Sequence, residues 1–565
     1  MNSNIPTIAF KDFYKVHHPF MYLPNMNFLY TSLIARKSRL EGVDHVVAGG
    51  FQKVIKQYLI DHFNKTFFFT ELRSIINDSS LNEAFRDYTQ KILEAKKNEM
   101  LTTYTRVCNV DTKHIEEIWE LGYLPLKIKV LPEGTVVPIG VPLMTIQSTY
   151  PKKHPFVGWL VNTLESLLSA EIWPVINAAT LAHEYKKIFM HFAKMTDRHN
   201  LDFTNWQGHD FSFRGHHGIQ AAILSGIGHL FSFYGTDTIP AIYELEDSYN
   251  ATGLIGGSVP VTEHSIESMN AMGTMEGEYE HTLRLLSIYS TGIVSKVSDT
   301  TDLWSYITEV LPKCKEQIMA RDGKLVIRPD SGNPIDILCG LREGVDYLYV
   351  NNKYYRAKDL EYDSDLNDPT GEGVWSIIND KPLNNSEIKG VIELLWDIFG
   401  GTINDQGYKV LDPHIGAIYG DSITLLRARE ICTRLEAKGF ATTNWVAGIG
   451  SMTYVGGEAT PGHQHWVSRD LFGLAFKASY GELLHEYGIE AREIFKDPIT
   501  DNGTKKSKKG LLQVTFDEKI QDFVCKDQCT KEEEDSGLLE VIFEDGKLIK
   551  DENLETIRKR LSQYV

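Results

Sequence analysis

The chain has 565 residues, of which 42% are hydrophobic and 24% charged, a composition typical of a globular protein with two or three domains. Its formal net charge of -18 argues against a nucleic-acid-binding surface, which would be basic, but leaves room for a local basic pocket. We find no apolar run of membrane-spanning length and no signal-peptide pattern at the N-terminus. We therefore expect a cytoplasmic protein that binds neither nucleic acid nor membranes.

Three kinds of pattern follow one another along the chain. Residues 50–100 carry apolar side chains at three-to-four spacing, which predicts helices, and residues 122–150 alternate, which predicts short antiparallel strands. Between about 170 and 480, short apolar runs end in Gly, Asp or Ser and lead into helical segments. This order predicts βα units with parallel strands, and the lack of a dinucleotide fingerprint favours a barrel over an open doubly wound sheet.

Polar residues fall where the predicted strands end, which is where barrel enzymes keep their chemistry. In "HDFSFRGHHG", Phe211 and Arg214 can stack a flat ring and bind a phosphate, or form an aromatic core contact beside a surface arginine. Asp237 in "GTDT" and Asp299 in "VSDTTD" can each accept hydrogen bonds from a ligand or cap a helix. These alternatives stay open from the residues alone.

The later strand ends point more clearly to a ligand. Arg328 and Asp330 flank a proline in "RPDSGNP", and an opposed charge pair fits a strand end best when a ligand uses it. The glycines of "YGDS" and "GIGS", with Gly420, Asp421 and Gly450, allow backbone N–H groups to approach a phosphate. Together these features predict a site for a sugar phosphate and a flat heterocycle.

The stretch "GGSVPVTEHS" at 256–265 places Glu263 and His264 where an apolar run passes into a helix. A helix cap with an incidental histidine is one interpretation. Its position among the other strand ends favours a second, in which His264 lies at the pocket and Glu263 orients the imidazole. Basic residues after "GIGS", at Arg469, Lys477 and Lys496, become relevant if they converge on a polyphosphate.

The motifs "DFYKVHH", "GTDT", "SVPVTEHS", "IRPDSGNP", "YGDS" and "FKDP…KKSKKG" resemble, in this order, those of the nicotinamide phosphoribosyltransferases. The resemblance runs along nearly the whole chain, and 340–390 and 452–465 look inserted or divergent. It implies an α/β fold, with the irregular TIM-like barrel of a type II phosphoribosyltransferase and a smaller β-rich domain formed by N- and C-terminal segments. The corresponding boundaries are 1–165, 166–485 with an insertion near 340–390, and 486–565.

The same resemblance implies formation of nicotinamide mononucleotide and pyrophosphate from nicotinamide and phosphoribosyl pyrophosphate, as a step of NAD biosynthesis. It implies a homodimer with active sites at the interface, Mg2+ held mainly by substrate phosphates, and an optional ATPase that phosphorylates a histidine. Carried over by motif, the catalytic residues are His264, Asp299 and Asp330. The substrate-binding residues are Phe211, Arg214, Asp237, Ser258, Arg328, Gly420, Asp421, Gly450 and Tyr14 of the partner subunit. The residues that meet the pyrophosphate, from the other subunit, are Arg36, Arg469, Lys477 and Lys496.

The chain departs from the family pattern in three places. "GIGSM" lacks a glycine of the phosphate loop, Gly416 stands where the family has an arginine, and the segment "YVGGEATPGHQHW" lengthens the path to Arg469. A nicotinate phosphoribosyltransferase and a catalytically silent binding protein on the same fold are the alternatives. An unrelated sugar-phosphate aldolase would need a Schiff-base lysine, for which Lys296 and Lys477 are the candidates.

Overall fold

The computed structural model describes residues 5–149, 157–363, 374–420, 422–456, 459–460, 463–464, 467–496, 498–500 and 507–565. Two sheets organise this part of the chain, one parallel and one antiparallel. Both contribute to one large hydrophobic cluster, which includes Leu29 and Ile146 of the antiparallel sheet and Leu325 and Ala417 of the parallel sheet.

The parallel sheet has six strands in the middle of the chain. They are β1 (Gly208–Asp210), β2 (Gly235–Thr236), β3 (Thr291–Val297), β4 (Asp322–Arg328), β5 (Ile415–Tyr419) and β6 (Trp445–Ile449). Their spatial order is β2-β1-β6-β5-β4-β3, and every recorded pairing is parallel. The prediction of βα units with parallel strands is confirmed.

The segment 256–261 links the two edges of this sheet. Gly257 forms an isolated parallel bridge with Gly235 of β2, and Val261 forms another with Ser295 of β3. The amide of Thr262 then donates to the Ser295 carbonyl at 3.0 Å, so the chain is pinned to β3 just before His264. The glycine- and proline-containing stretch noted in the sequence therefore runs along the open side of the sheet.

The antiparallel sheet is built from both ends of the chain. Its strands are Met26–Ile34, Leu126–Val130, Pro142–Ser148, Ala475–His485, Gly488–Glu493, Glu540–Glu544 and Lys547–Leu548. Met26–Ile34 lies centrally, between Pro142–Ser148 and Ala475–His485. The α/β class and the β-rich unit formed by N- and C-terminal segments are confirmed.

Helices cover the sheets and account for most of the remaining chain. The helical prediction for 50–100 corresponds to Phe51–Val54, Thr70–Asn77 and Glu83–Cys108, with π-helical turns at Ile55–His62 and Asn64–Phe68. The longest helix, Gly158–Thr196, is largely buried. Within the described ranges no helix combines the length and apolar character that crossing a membrane requires. The other α-helices of five or more residues are Lys113–Leu121, Ile219–Leu230, Ile239–Ser248, His264–Ala271, Met275–Ile288, Leu311–Met319, Pro334–Cys339, Asn385–Lys389, Val391–Phe399, Leu425–Ala437, Lys531–Asp535 and Leu554–Leu561.

Two short hairpins occupy the region that the sequence marks as inserted. Tyr347–Val350 pairs with Lys353–Arg356, and Leu360–Asp363 pairs with Val374–Ile377. Among the described residues, the other two-stranded antiparallel pairs are the hairpins Gly401–Ile403 with Lys409–Leu411, Ala459–Thr460 with His463–Gln464 and Leu511–Asp517 with Asp522–Cys529, and the long-range pair His45–Val47 with Val136–Pro138.

The segment "KEEEDSG" is predicted from the sequence to be an exposed turn, and this prediction is wrong. "KEEEDSG" contains the helix Lys531–Asp535 rather than an exposed turn alone. Thr530 and Glu533 form a capping box, and Glu534 is buried with an ion pair to Lys129 Nζ at 2.7 Å. The local pattern Thr-x-x-Glu is the signal for this helix, and it outweighs the high charge of the segment.

Candidate functional site

The carboxyl ends of parallel strands meet at one edge of a sheet, and the polar residues noted in the sequence follow those ends. This edge carries Phe211 after β1, Asp237 after β2, His264 after the segment 256–261, Asp299 after β3, Asp330 after β4, Gly420 after β5 and Gly450 after β6. The topology thus gathers residues from seven separate parts of the chain.

Asp237 is held by a histidine that the sequence analysis did not single out. His209 Nε2 donates to Asp237 Oδ1 at 2.9 Å, and Ser258 Oγ lies 3.5 Å from the same nitrogen. Burial raises the pKa of Asp237, but the His209 hydrogen bond and charge, Ser258 and Arg328 outweigh it, so the pKa is lower than usual. Thr238, and not Asp237, is the N-cap of the following helix, which removes the capping alternative.

Phe211 forms an aromatic surface next to this pair. Its ring centroid lies 4.5 Å from that of His209, and the guanidinium of Arg328 lies 4.9 Å from the Phe211 centroid. The expected partner, Arg214, is exposed on the short helix Phe213–Gly215. The guanidinium that pairs with the ring therefore comes from β4 and not from the neighbouring loop, since the curvature of the sheet brings β1 and β4 together.

Arg328 and Asp330 lie close together but too far apart for a hydrogen bond. Arg328 Nη2 and Asp330 Oδ1 are 3.9 Å apart, and both Arg328 Nε and Asp330 Oδ1 are buried without a hydrogen-bond partner. Unpaired buried polar atoms are costly, so they indicate a site that a ligand completes. A Cβ on Gly420 would lie 2.4 Å from Asp330 Oδ1 and 2.6 Å from Arg328 Nε. Gly420 therefore makes room for both charged side chains.

Asp299 organises the turn after β4 and does not cap a helix. Its Oδ2 accepts hydrogen bonds from the amides of Asp330 and Ser331 at 2.9 and 2.7 Å and from Ser331 Oγ at 2.6 Å. Its other oxygen, Oδ1, is buried without a partner. The N-cap of the next helix is Asp302. Asp299 thus fixes the backbone that carries Asp330 and keeps one oxygen for a ligand.

His264 begins the helix His264–Ala271 at the same edge. Its Nδ1 lies 2.9 Å from Thr300 Oγ1, and its Nε2 lies 3.6 Å from Asp330 Oδ2. The side chain is half exposed. Glu263 does not orient the ring as expected: its carboxylate accepts a hydrogen bond from Ser265 Oγ. Sequence reasoning missed Thr300, which comes from the neighbouring β3 exit.

The late glycines have packing roles besides access to a phosphate. A Cβ on Gly448 would lie 2.4 Å from the Tyr419 carbonyl, because β5 and β6 pack closely there. Gly450 is buried, and its carbonyl accepts from the amides of Thr453 and Tyr454 at 3.1 and 3.3 Å. Asp421 lies outside the described residues.

The four predicted phosphate-binding cations belong to the antiparallel sheet region. Lys477 pairs in register with Ser32 on the strand that leads to Arg36. The pKa of Lys477 is lowered by burial and by the charge of Arg36, with Glu165 opposing and Lys496 and Arg469 adding to the shift. We define these four residues, Arg36, Arg469, Lys477 and Lys496, as the basic cluster. Mutual repulsion in such a cluster indicates a surface that a polyanion would stabilise.

Tyr14 lies on the short helix Phe13–His17 and is 62% exposed. Its ring packs against His18, with centroids 5.2 Å apart. The neighbouring large apolar side chains Phe13, Phe20 and Met21 are also exposed, at 56%, 54% and 73%. An apolar surface of this kind is typical of a protein–protein contact.

Comparison with known proteins places this arrangement in a family. The model of the nicotinate phosphoribosyltransferase (NAPRTase) family matches residues 206–533, which is more than half of the chain and includes all six parallel strands. The chain belongs to this family. Relatives that match nearly the whole chain confirm the resemblance to nicotinamide phosphoribosyltransferases drawn from the motifs.

Relatives within the family extend the match to nearly the full length. A nicotinamide phosphoribosyltransferase of Acinetobacter baylyi is 39% identical over 573 positions, covering 98% of this chain and 96% of the relative. One from Mycoplasma pneumoniae is 29% identical over 510 positions, covering 89% and 94%. Among solved structures, nicotinate-nucleotide pyrophosphorylase from Pyrococcus furiosus is 11% identical, with a TM-score of 0.49 and coverage of 99% and 95%.

Proposed function

We propose that this chain is a nicotinamide phosphoribosyltransferase that makes nicotinamide mononucleotide and pyrophosphate from nicotinamide and phosphoribosyl pyrophosphate, in NAD salvage. The observation that carries the choice of base is the Asp237–His209 pair beside Phe211. Detection of the mononucleotide by mass spectrometry after incubation with both substrates and Mg2+ tests the reaction, and absence of product at every Mg2+ concentration would contradict it.

The base selection follows from charge. An ionised Asp237 accepts a hydrogen bond from the carboxamide N–H of nicotinamide and repels the carboxylate of nicotinate. Its lowered pKa keeps it ionised at neutral pH. The pyridine ring stacks on Phe211, and we propose that Tyr14 of the partner subunit covers its other face. Arg214 and Ser258 complete this pocket.

In the transfer, the pyridine nitrogen forms a bond to the anomeric carbon with its lone pair. The bond from that carbon to pyrophosphate breaks, and its electron pair leaves with pyrophosphate. Positive charge develops on the ribose, so Asp299 and Asp330 stabilise it. Arg328, Gly420, Asp421 and Gly450 hold the ribose and its phosphate.

Mg2+ suits the oxygen donors available at this edge. Asp299 Oδ1 and Asp330 Oδ1 have no hydrogen-bond partner, and carboxylate oxygens are ligands that Mg2+ prefers. We propose that the ion is held mainly by the substrate phosphates, with these oxygens beside it. When bound, it neutralises charge on the phosphate groups.

ATP is the optional coupled substrate in this proposal, and His264 accepts its γ-phosphoryl group. In the tautomer that donates Nδ1–H to Thr300 Oγ1, Nε2 keeps its lone pair for the phosphorus atom. The bond from γ-phosphorus to ADP breaks as the nitrogen–phosphorus bond forms, and ADP leaves with the electron pair. Asp330, close to Nε2, stabilises the positive charge that develops on the ring.

Replacement of His264 by Ala should abolish ATP coupling. The ratio of turnover with ATP to turnover without ATP should fall to about one, because no side chain remains to accept the phosphoryl group. Steady-state kinetics and detection of the phosphorylated histidine measure this. The exposed His191, replaced by Ala, is the matched control and should leave the ratio unchanged. Retained ATP stimulation in His264→Ala would show that another group takes the phosphate.

The lowered pKa of Asp237 sets a pH dependence. Because the folded pKa lies below the usual value of 3.8, the carboxylate stays ionised as pH falls from about 7 to about 5. Its contribution to stability is likewise present above 3.8 and is lost only as pH falls through the folded pKa. We expect parent and Asp237→Asn to show parallel pH profiles of kcat/KM over that range. A titration between about pH 5 and about pH 7 that Asp237→Asn removes would contradict this.

For the assembly we propose a cytoplasmic homodimer with active sites at the interface. The exposed apolar surface around Tyr14 supports a contact between subunits, and the basic cluster would meet the pyrophosphate of the partner's site. We further propose that the parallel strands, with the bridges of Gly257 and Val261, form the irregular TIM-like barrel of a type II phosphoribosyltransferase.

A further inference from the structure

A fully buried group of ionisable side chains lies behind His264. Lys296 Nζ is 2.7 Å from Glu267 Oε2 and 2.6 Å from Glu278 Oε2, and His281 Nδ1 is 2.9 Å from Glu267 Oε2. The exposed fraction of these four side chains does not exceed 3%. We call Lys296, Glu267, Glu278 and His281 the Lys296 network.

The network joins the two elements that place His264. Glu267 lies on the helix that begins at His264, one turn further on. On the other side, Thr301 Oγ1 donates to Glu278 Oε1 at 3.1 Å, and the residue before it is Thr300, which contacts His264 Nδ1 at 2.9 Å. The helix and the loop that orient the imidazole therefore meet through one buried ammonium group.

The Lys296 side chain cannot reach a ligand in the pocket. It is completely buried, and its ammonium lies 4.4 Å from the centroid of the Tyr306 ring. Burial lowers its pKa, but Tyr306, Glu267 and Glu278 raise it to about 12, so the group stays charged. A Schiff base needs a neutral, accessible amine. Lys296 is therefore excluded as the Schiff-base lysine of an aldolase.

Buried ion pairs are weak evidence for stability, because removing the charges from water offsets their attraction. Buried ion pairs nevertheless fix geometry when several hydrogen bonds hold the same charged group. If one partner moves, a buried charge is left unpaired, which is costly. The Lys296 network is thus better suited to fixing geometry than to adding stability.

We propose that Lys296 is a positioning residue for His264, holding the His264 helix against the Thr300–Thr301 loop so that the imidazole faces the phosphoryl donor. The proposal rests on the proposed role of His264 as phosphate acceptor. It concerns ATP coupling and not the transfer of the ribose. Loss of the network should lower phosphorylation of His264 through misplacement of the ring.

Two variants test this without leaving a lone buried charge. In the triple variant Glu267→Gln, Glu278→Gln and Lys296→Met, the ion-pair charges are removed together and the side-chain volumes are kept. In the single variant Thr301→Val, only the link to the loop is lost and Lys296 remains paired. Thr308→Val is the matched control, since Thr308, like Thr301, is an exposed threonine, and its hydroxyl donates to the Trp304 carbonyl at 2.8 Å and not to the network.

The measurements are the phosphohistidine content with ATP and the turnover with and without ATP. Thr301→Val should lower the phosphohistidine content and the ATP stimulation about fivefold, the effect of one lost hydrogen bond, and keep ATP-independent turnover within about twofold. The triple variant, if folded by circular dichroism, should show a larger loss of both. Thr308→Val should resemble the parent.

The outcomes separate the two proposals. Normal phosphohistidine in Thr301→Val, or in a folded triple variant, overturns the positioning role and leaves the role of His264 intact. Equal losses of ATP-dependent and ATP-independent turnover in Thr301→Val also overturn it, because they indicate a general structural effect. No phosphohistidine in the parent protein, with mononucleotide still formed, contradicts the role of His264 itself.

Discussion

Replacing Asp237 by Ser should reverse the preference between the two bases. We expect kcat/KM for nicotinamide to fall about a hundredfold, because a charged acceptor of the carboxamide is lost. We expect nicotinate to become a better substrate than in the parent, because the repelling carboxylate is gone and His209 Nε2 is free to donate to the nicotinate carboxylate. Steady-state kinetics with each base at saturating phosphoribosyl pyrophosphate measures both effects.

The matched control is Asp302→Ser at a neighbouring strand exit. Asp302 caps a short helix through the amides of Trp304 and Ser305, and Ser serves equally well at an N-cap. This variant should keep the parental ratio for the two bases. If Asp237→Ser also kept the parental ratio, the carboxylate of Asp237 would not select the base.

Replacing Gly420 by Ala should remove most of the activity while the protein stays folded. The added methyl group would lie 2.4 Å from Asp330 Oδ1 and 2.6 Å from Arg328 Nε, so both charged side chains must move. Displacement of groups at a reacting centre by about 1 Å costs about a hundredfold in rate, and we expect a fall in kcat/KM of that size. Kinetics together with thermal unfolding separates this effect from loss of the fold.

Gly257 provides the steric control. An added Cβ there would meet no heavy atom within 4 Å, although Gly257 also lies on the edge of the parallel sheet. Gly257→Ala should therefore retain activity within about threefold, as expected for an unstrained substitution. Full activity in Gly420→Ala would mean that Arg328 and Asp330 need not hold the positions seen here.

The order of the site along the chain could be predicted from the sequence. Short apolar runs that end in Gly, Asp or Ser identify the strands, and parallel strands bring their carboxyl ends to one edge. This reasoning places Phe211, Asp237, Asp299 and Asp330 on this edge, where the structure has them. The sequence also marks the stretch "GGSVPVTEHS", but its bridges to both sheet edges leave no local pattern.

Contacts across the sheet could not be predicted in the same way. The guanidinium over Phe211 comes from Arg328, whose strand is separated from β1 by two others, so the contact depends on curvature. The pairing of His264 with Thr300 depends similarly on the register of neighbouring segments. Local sequence suggested Arg214 and Glu263 as the partners because they are close in the chain.

Two local signals were available and were missed. His209 is two residues before Phe211, and the alternation of a strand places such residues on the same face. The pattern Thr530-x-x-Glu533 is a capping box that predicts the helix Lys531–Asp535. Lys296 is a different case, because its pairing with Glu267 and Glu278 requires three elements to meet and leaves no local pattern.

The central claim is that this enzyme uses nicotinamide in preference to nicotinate, and the ratio of kcat/KM for the two bases in the unmodified protein tests it most directly. The assay contains purified protein, phosphoribosyl pyrophosphate, Mg2+ and one base at a time, with and without ATP. A carboxylate that accepts from the amide and repels the acid predicts a ratio of about a hundred or more in favour of nicotinamide. A ratio of about one, or a preference for nicotinate, would contradict this claim.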